Sequence, residues 1–237
     1  MRKILSLVLI AVMACGTSAF AQRSTSGENN FMIHVGPTFP LGHFGGVAED
    51  WLLNNFISGT DGCAGVGFNV GAQYKFGLPI NGLGVFAGVD FFFNGMNKEI
   101  QEKIYDLADN SVTDITSKPR YYNIPIIVGL NYQYMIANGL GVYAEGGVGV
   151  DFRAISKFQT EFLSGSGIEA EIKYKTSGSF AGRVGAGVVY NRVTLGVDFD
   201  FLGANKITIA DSDEDDLAKT HNKLKTNLLT IRLGLIL

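Results

Sequence analysis

From residue 31 onward the chain keeps returning to one pattern, segments of about ten residues in which apolar side chains alternate with glycine or polar ones. Eight such segments can be drawn, at 31–39, 64–76, 83–94, 121–134, 139–153, 178–190, 193–202 and 227–237. An extended strand sends successive side chains to opposite faces. In the second segment Val66, Phe68, Val70, Ala72, Tyr74 and Phe76 therefore share one face, and Gly65, Gly67, Asn69, Gly71, Gln73 and Lys75 the other. The last segment sets Leu229, Ile231, Leu233, Leu235 and Leu237 against Thr230, Arg232 and Gly234. Phe86, Phe92 and Ile127 break the pattern by falling on the polar face.

A soluble sandwich of two sheets would alternate too, but its polar face would be rich in Lys and Glu. Here that face is mostly glycine with a few charges of both signs, which suits the inside of a narrow eight-stranded barrel filled by side chains. The apolar face is a continuous band fit for lipid. The connections alternate long and short. The long ones are 40–63, 95–120, 154–177 and 203–226, and the short ones are "GLPING", "MIAN" and Asn191-Arg192. Outer-membrane barrels have this asymmetry, with short periplasmic turns and long external loops. Tyr74, Phe76, Tyr132, Tyr134 and Tyr190 gather beside the short turns, while Phe91, Phe93, Tyr122, Phe152, Phe180, Phe199 and Phe201 gather beside the long loops. Two aromatic girdles are expected of such a barrel. Arg232, set in the greasy stretch "TNLLTIRLGLIL", would cost roughly 2–4 kcal/mol facing mid-bilayer lipid, so parity turns it inward. Pro125 forfeits a ladder hydrogen bond inside the fourth segment, and a bulge is expected there.

The fold expected is thus all-β, an eight-stranded antiparallel up-and-down transmembrane barrel over 31–237. The composition agrees, with 46% hydrophobic and 17% charged residues against about 25% charged in ordinary soluble domains. After the first residues no apolar run reaches the roughly 18 residues of a spanning helix. Residues 1–21 read as a cleaved signal peptide, with Arg2 and Lys3 before the apolar stretch from Ile4 to Ala14 and Ala19-Phe20-Ala21 as the cleavage site. Residues 22–30 then form a short periplasmic segment. Lipidation at Cys15 is the competing reading, although Met13 stands where a lipobox has a small residue. Loss of Cys15 leaves Cys63 alone, so no disulfide framework is expected and a passive thiol is the simplest role. A net charge of −3 without a basic stripe excludes a nucleic-acid partner.

The stretches "VGPTFPLGHFGG" (35–46), "RYYNIPIIVGLNYQY" (120–134), "GLGVYAEGGVGVDF" and "FAGRVGAGVVYNRVTLGVDFDFLG" resemble the small outer-membrane β-barrel family, the OmpX/OmpW-like and PorT-like porin-family proteins. The resemblance spans the chain after the signal and lies in pattern rather than catalytic motifs. It implies integral residence in a Gram-negative outer membrane. It also implies contact with lipid and lipopolysaccharide, help from the barrel-insertion machinery, and a monomeric state. Roles in such a family run from adhesion and envelope integrity to small-solute passage or secretion support. Members often end on an aromatic residue, whereas this chain ends on Leu237, and nothing in it corresponds to the peptidoglycan-binding domain of larger OmpA-like proteins.

Parity collects nine inward charges: Lys75, Asp90, Glu145, Asp151, Arg153, Arg183, Asp198, Asp200 and Arg232. Buried charges need partners. A two-residue hairpin loop at Asn191-Arg192 sets Tyr190 opposite Val193 and hence Arg183 opposite Asp200. The network either locks and plugs the lumen or lines a narrow water path. No enzyme is expected. Of the histidines, His34 points inward while His43 and His221 fall in external loops, and "SGSG" around Ser166 lacks the strand-to-helix setting of a nucleophile elbow. A lipid-modifying enzyme is the remotest alternative. No cofactor is expected. Asp211, Asp213 and Asp215 mimic the start of a calcium loop, but Asp216 and Asn222 replace its glycine and its closing glutamate. In "NKEIQEKIYDLADN", Ile100, Ile104 and Leu107 have helical spacing and predict a short helix at the barrel mouth.

Overall fold

The structure, a computed structural model, describes residues 29–46, 62–99, 102, 112–118, 120–156, 158–162, 169–172, 177–206 and 223–237. Eight of its strands close into a barrel: β1 (Asn30–Leu41), β2 (Gly67–Gly77), β3 (Leu83–Gly95), β5 (Arg120–Ala137), β6 (Leu140–Ile155), β9 (Ser177–Tyr190), β10 (Val193–Lys206) and β11 (Lys223–Ile236). Each pairs antiparallel with its neighbours in the chain, and β1 closes the ring on β11. Closure leaves no unpaired strand edge, the condition for a sheet to sit in a medium that offers no hydrogen bonds.

Alternation does the sorting. Val66, Phe68, Val70 and Phe76 of the second segment are exposed, as are Val142, Val148, Val150 and Phe152 of the fifth and Ile231, Leu233 and Leu237 of the last. Between them, facing inward, lie Asn69, Gln73, Lys75, Glu145, Asp151, Arg153, Thr230 and Arg232, all buried. Phe86, Phe92 and Ile127 do point inward and are fully buried, so these three exceptions form apolar parts of the lumen filling. Tyr132, Tyr134, Tyr190 and Phe76 stand exposed on the outer wall beside the short turns. At the other end Phe68, Phe93, Tyr122 and Phe91 touch in series across three strands, with ring centroids 5.4 to 6.1 Å apart.

Three details differ from expectation. Pro125 carries no bulge. The β3–β5 register is the same on either side of it (Val89↔Ile126 and Phe92↔Asn123), and only the rungs at Asp90 and Phe91 drop out between. Pro125 stays paired with Asp151 on its other side, so the missing N–H is absorbed by a local gap and no residue is inserted. Second, β5 runs three residues further than its alternation suggested. The "MIAN" connection shrinks to a tight turn at Asn138-Gly139, with Gly139 at φ +78° and a register shift between Met135 and Ala137. Gly139 alone takes the left-handed position of the turn, where the absence of a Cβ removes the strain. Third, the long connections hold strands of their own. β4 (Val112–Ser117) lies between β3 and β5, and β7 (Phe158–Phe162) and β8 (Glu169–Ile172) lie between β6 and β9. They form a second sheet in the order β4-β7-β8. Of the helix expected around Ile100, Ile104 and Leu107, only Lys98, Glu99 and Glu102 are described, all helical, and the apolar positions lie outside the described residues. The signal peptide, His221, Ser166 and the acidic run at Asp211, Asp213 and Asp215 also lie outside them.

Candidate functional site

The lumen gathers the chemistry. All nine charges that parity turned inward are buried there, along with uncharged polar side chains from β1, β2, β3, β5, β10 and β11. The two-residue loop sets Tyr190 opposite Val193 and carries the register to Asp200↔Arg183. Arg183 Nε donates to Asp200 Oδ1 at 2.6 Å, and its NH1 lies 2.9 Å from Asp90 Oδ2 across the lumen. Asp90 in turn meets His34 Nε2 at 2.6 Å and accepts from Asn69 at 2.8 Å, while Thr230 donates to Asp200 at 3.3 Å. Strands β1, β2, β3, β9, β10 and β11 are thereby tied through one guanidinium and two carboxylates.

Arg232 centres a second knot. Its NH2 reaches Glu145 Oε1 at 2.5 Å and its Nε lies 2.9 Å from Asp198 Oδ2. Gln73 and Asn131 both donate to the other Glu145 oxygen at 3.1 Å. Toward the long loops Arg153 donates through Nε to Asn123 at 2.7 Å and through NH1 to the Leu224 carbonyl at 3.5 Å, with Asp151 3.9 Å away. Guanidinium groups suit this place because each offers several donors in a fixed plane, so one side chain can satisfy partners on several strands.

Glycine makes the room. A Cβ at Gly185 would lie 2.0 Å from Asp198 Oδ1, and one at Gly71 would lie 2.4 Å from Asp90 Oδ1 and 2.5 Å from His34 Nε2. The abundance of inward glycines is therefore the space in which the ion pairs sit.

Above the charges, toward the long loops, the lumen turns apolar. A short 3-10 turn, Gly42–Phe44, folds back into the mouth, and Phe44 is fully buried against Phe92, Tyr121, Ala181, Leu202, Leu224 and Leu228. The returning segment 62–65 pins it, with Gly62 N–H donating to His43 O at 2.7 Å and Ala64 N–H to Phe44 O at 2.9 Å. The Tyr121 hydroxyl donates to the Gly62 carbonyl. His43, on the same turn, stays exposed, and Cys63 is buried in the returning segment at φ +49°. At the short-turn end Met32, Val189 and Ile236 pack together with Met135.

His34, which parity turns inward, joins the network without being one of the nine charges, and Tyr143, two residues before Glu145 and on the same face, is buried beside it. Their signal was the alternation itself, which selects polar side chains irrespective of charge. Among the described residues no group of three or more metal-ligating side chains comes together.

No family model matches the chain, and no curated protein matches it. Solved structures do, and they are small outer-membrane barrels of eight strands. The attachment invasion locus protein Ail of Yersinia pestis is 15% identical, with 89% of this chain and 99% of that one covered at a TM-score of 0.40. Neisserial surface protein A is 11% identical, with 90% and 98% covered at 0.44. The outer membrane protein OprG of Pseudomonas aeruginosa is 15% identical, with 91% and 99% covered at 0.47. The chain's own strand ladder is what defines it as a closed eight-stranded antiparallel barrel.

Proposed function

We propose that the protein is an integral outer-membrane barrel, inserted as a monomer, whose lumen is a structural plug and whose contacts with the outside world are made by its long connections. The observation that carries this reading is the inversion of the barrel's two faces. The outer wall is a band of exposed Val, Ile, Leu and Phe, and the inside holds buried Arg, Asp and Glu side chains in mutual contact. A water-soluble barrel would bury the first set and expose the second. Surface lipid and lipopolysaccharide on the outer wall, and the insertion machinery during assembly, are the partners this reading requires.

The rival reading, a narrow pore, has to find a path past two obstacles in series. One is the pair of knots around Arg183 and Arg232, and the other is the apolar stopper around Phe44. A lipid-modifying enzyme has less support, because His34, among the described residues the one histidine in the lumen, is held by Asp90 deep behind the wall and away from lipid.

Topology tests the proposal. In a Cys63→Ser background, Lys118→Cys at the long-loop end should react with a membrane-impermeant maleimide on intact cells, and Asn81→Cys in a short turn only after permeabilisation. Equal labelling of both, or recovery of the protein outside the outer-membrane fraction, would contradict it.

A further inference from the structure

Among the described residues Lys75 is the one lumen cation with no carboxylate at ion-pairing distance, although the lumen's carboxylates outnumber its cations. Arg153, Arg183 and Arg232 each have an acidic side chain within 4.0 Å. Lys75 is buried, at 5% exposure, yet among the described residues no carboxylate comes within that distance of it. Its ammonium donates to the neutral Gln133 Oε1, at a long 3.3 Å. Glu145 is the acid placed to serve it, but both Glu145 oxygens are already taken, one by Arg232 and the other by Gln73 and Asn131. A buried ammonium left in this state is costly unless something else supplies the negative charge.

Beside Lys75 is a cavity of about 30 Å³ at the short-turn end of the lumen, lined by Gln133, Asn131, Tyr143, Glu145 and Thr194 among others. That is room for about two water molecules or one small anion. A further polar atom on its lining, Asn131 Oδ1, is unsatisfied, while the Tyr143 hydroxyl turns away to Gly196 and Arg232. Both residues are more than nine-tenths buried. Asn30 at its rim is only partly buried, so the cavity is approached from the short-turn end, and the Arg232 knot forms its floor.

We propose that this cavity is a binding site for one small monovalent anion, a halide or a single carboxylate group. Lys75 Nζ supplies the charge, and Asn131 Oδ1 accepts from a water bound with the anion. The site depends on the packed lumen and not on the loops. Only the statement that its mouth faces the periplasm rests on the outer-membrane reading, so failure of the labelling experiment above would leave the site's own test intact.

The test uses the refolded full-length barrel in micelles. Formate is titrated against gluconate, whose hydroxyl-bearing carbon next to the carboxylate is too bulky for the cavity, at constant ionic strength, and thermal unfolding is followed by circular dichroism. Formate should raise the unfolding temperature saturably and gluconate should not. Lys75→Met should weaken the apparent formate affinity roughly tenfold or more, the factor that loss of one charge-assisted hydrogen bond carries. Equal effects of the two anions, or an undiminished formate effect in Lys75→Met, would overturn the site. Should Lys75→Met fail to fold, crystals of the unaltered protein grown in bromide decide the matter. An anomalous peak within hydrogen-bonding distance of Lys75 Nζ supports the site, and its absence overturns it. N-acetylglycine, run in parallel, separates the sources. An effect equal to that of formate points to a chain-borne carboxylate, and an effect of formate and bromide alone to a free ion.

Discussion

The middle of the lumen and its mouth are closed by opposite means. In the middle, Arg183 and Arg232 hold four carboxylates from three other strands at 2.5 to 2.9 Å. At the mouth, Phe44 fills a pocket of Phe92, Tyr121, Leu202, Leu224 and Leu228, and Tyr121 alone adds a hydroxyl. The first closure is directional, since every group in it depends on a named partner and removal of one strands the rest. The second depends on volume, and a smaller side chain leaves a hole without leaving an orphaned charge. A barrel that sealed itself with apolar side chains throughout would have two apolar faces and nothing to decide which belonged in lipid. The charged layer settles that question, because its side chains cannot face hydrocarbon at acceptable cost.

This contrast ranks the effects of substitution. Arg183→Ala should be the most damaging, because it leaves Asp90 and Asp200 buried and uncompensated. We expect about 3–5 kcal/mol of lost stability in urea unfolding from micelles. Phe44→Ala should cost about 3 kcal/mol, at the low end for a buried phenylalanine, because the turn that carries it can settle into the space. An equal or larger loss than for Arg183→Ala would reverse the ranking. Gly185→Ala places a methyl group against Asp198 and should cost about 1–3 kcal/mol, by forcing that carboxylate off Arg232. Thr230→Val removes one hydrogen bond to Asp200 at nearly constant volume and should cost about 1 kcal/mol, the smallest of the four.

Most of this architecture could be read from alternation, since a two-residue period binds each side chain to one face whatever its neighbours do. That is why Arg232 and the Arg183–Asp200 register were accessible from residue identity and one hairpin loop. What alternation cannot show is distance across the lumen. Nothing in the sequence relates Arg183 to Asp90, or Arg232 to Glu145, because those contacts join strands that are not paired and depend on the barrel's curvature. The apolar stopper was hidden for a different reason. Phe44 belongs to a connection, where no periodicity applies, and its burial follows from the chain turning back into the mouth. At Pro125 the error lay in treating a missing donor as a demand for an extra residue, when the ladder could simply omit two rungs.

The claim that the lumen is a plug is tested most directly by ion and solute flux through the refolded protein in liposomes, for the unaltered chain beside Arg183→Ala. The account predicts a silent unaltered protein and, in the variant, leak wherever the barrel remains folded. Steady flux through the unaltered protein, unchanged by the substitution, would contradict it and make the lumen a conducting path.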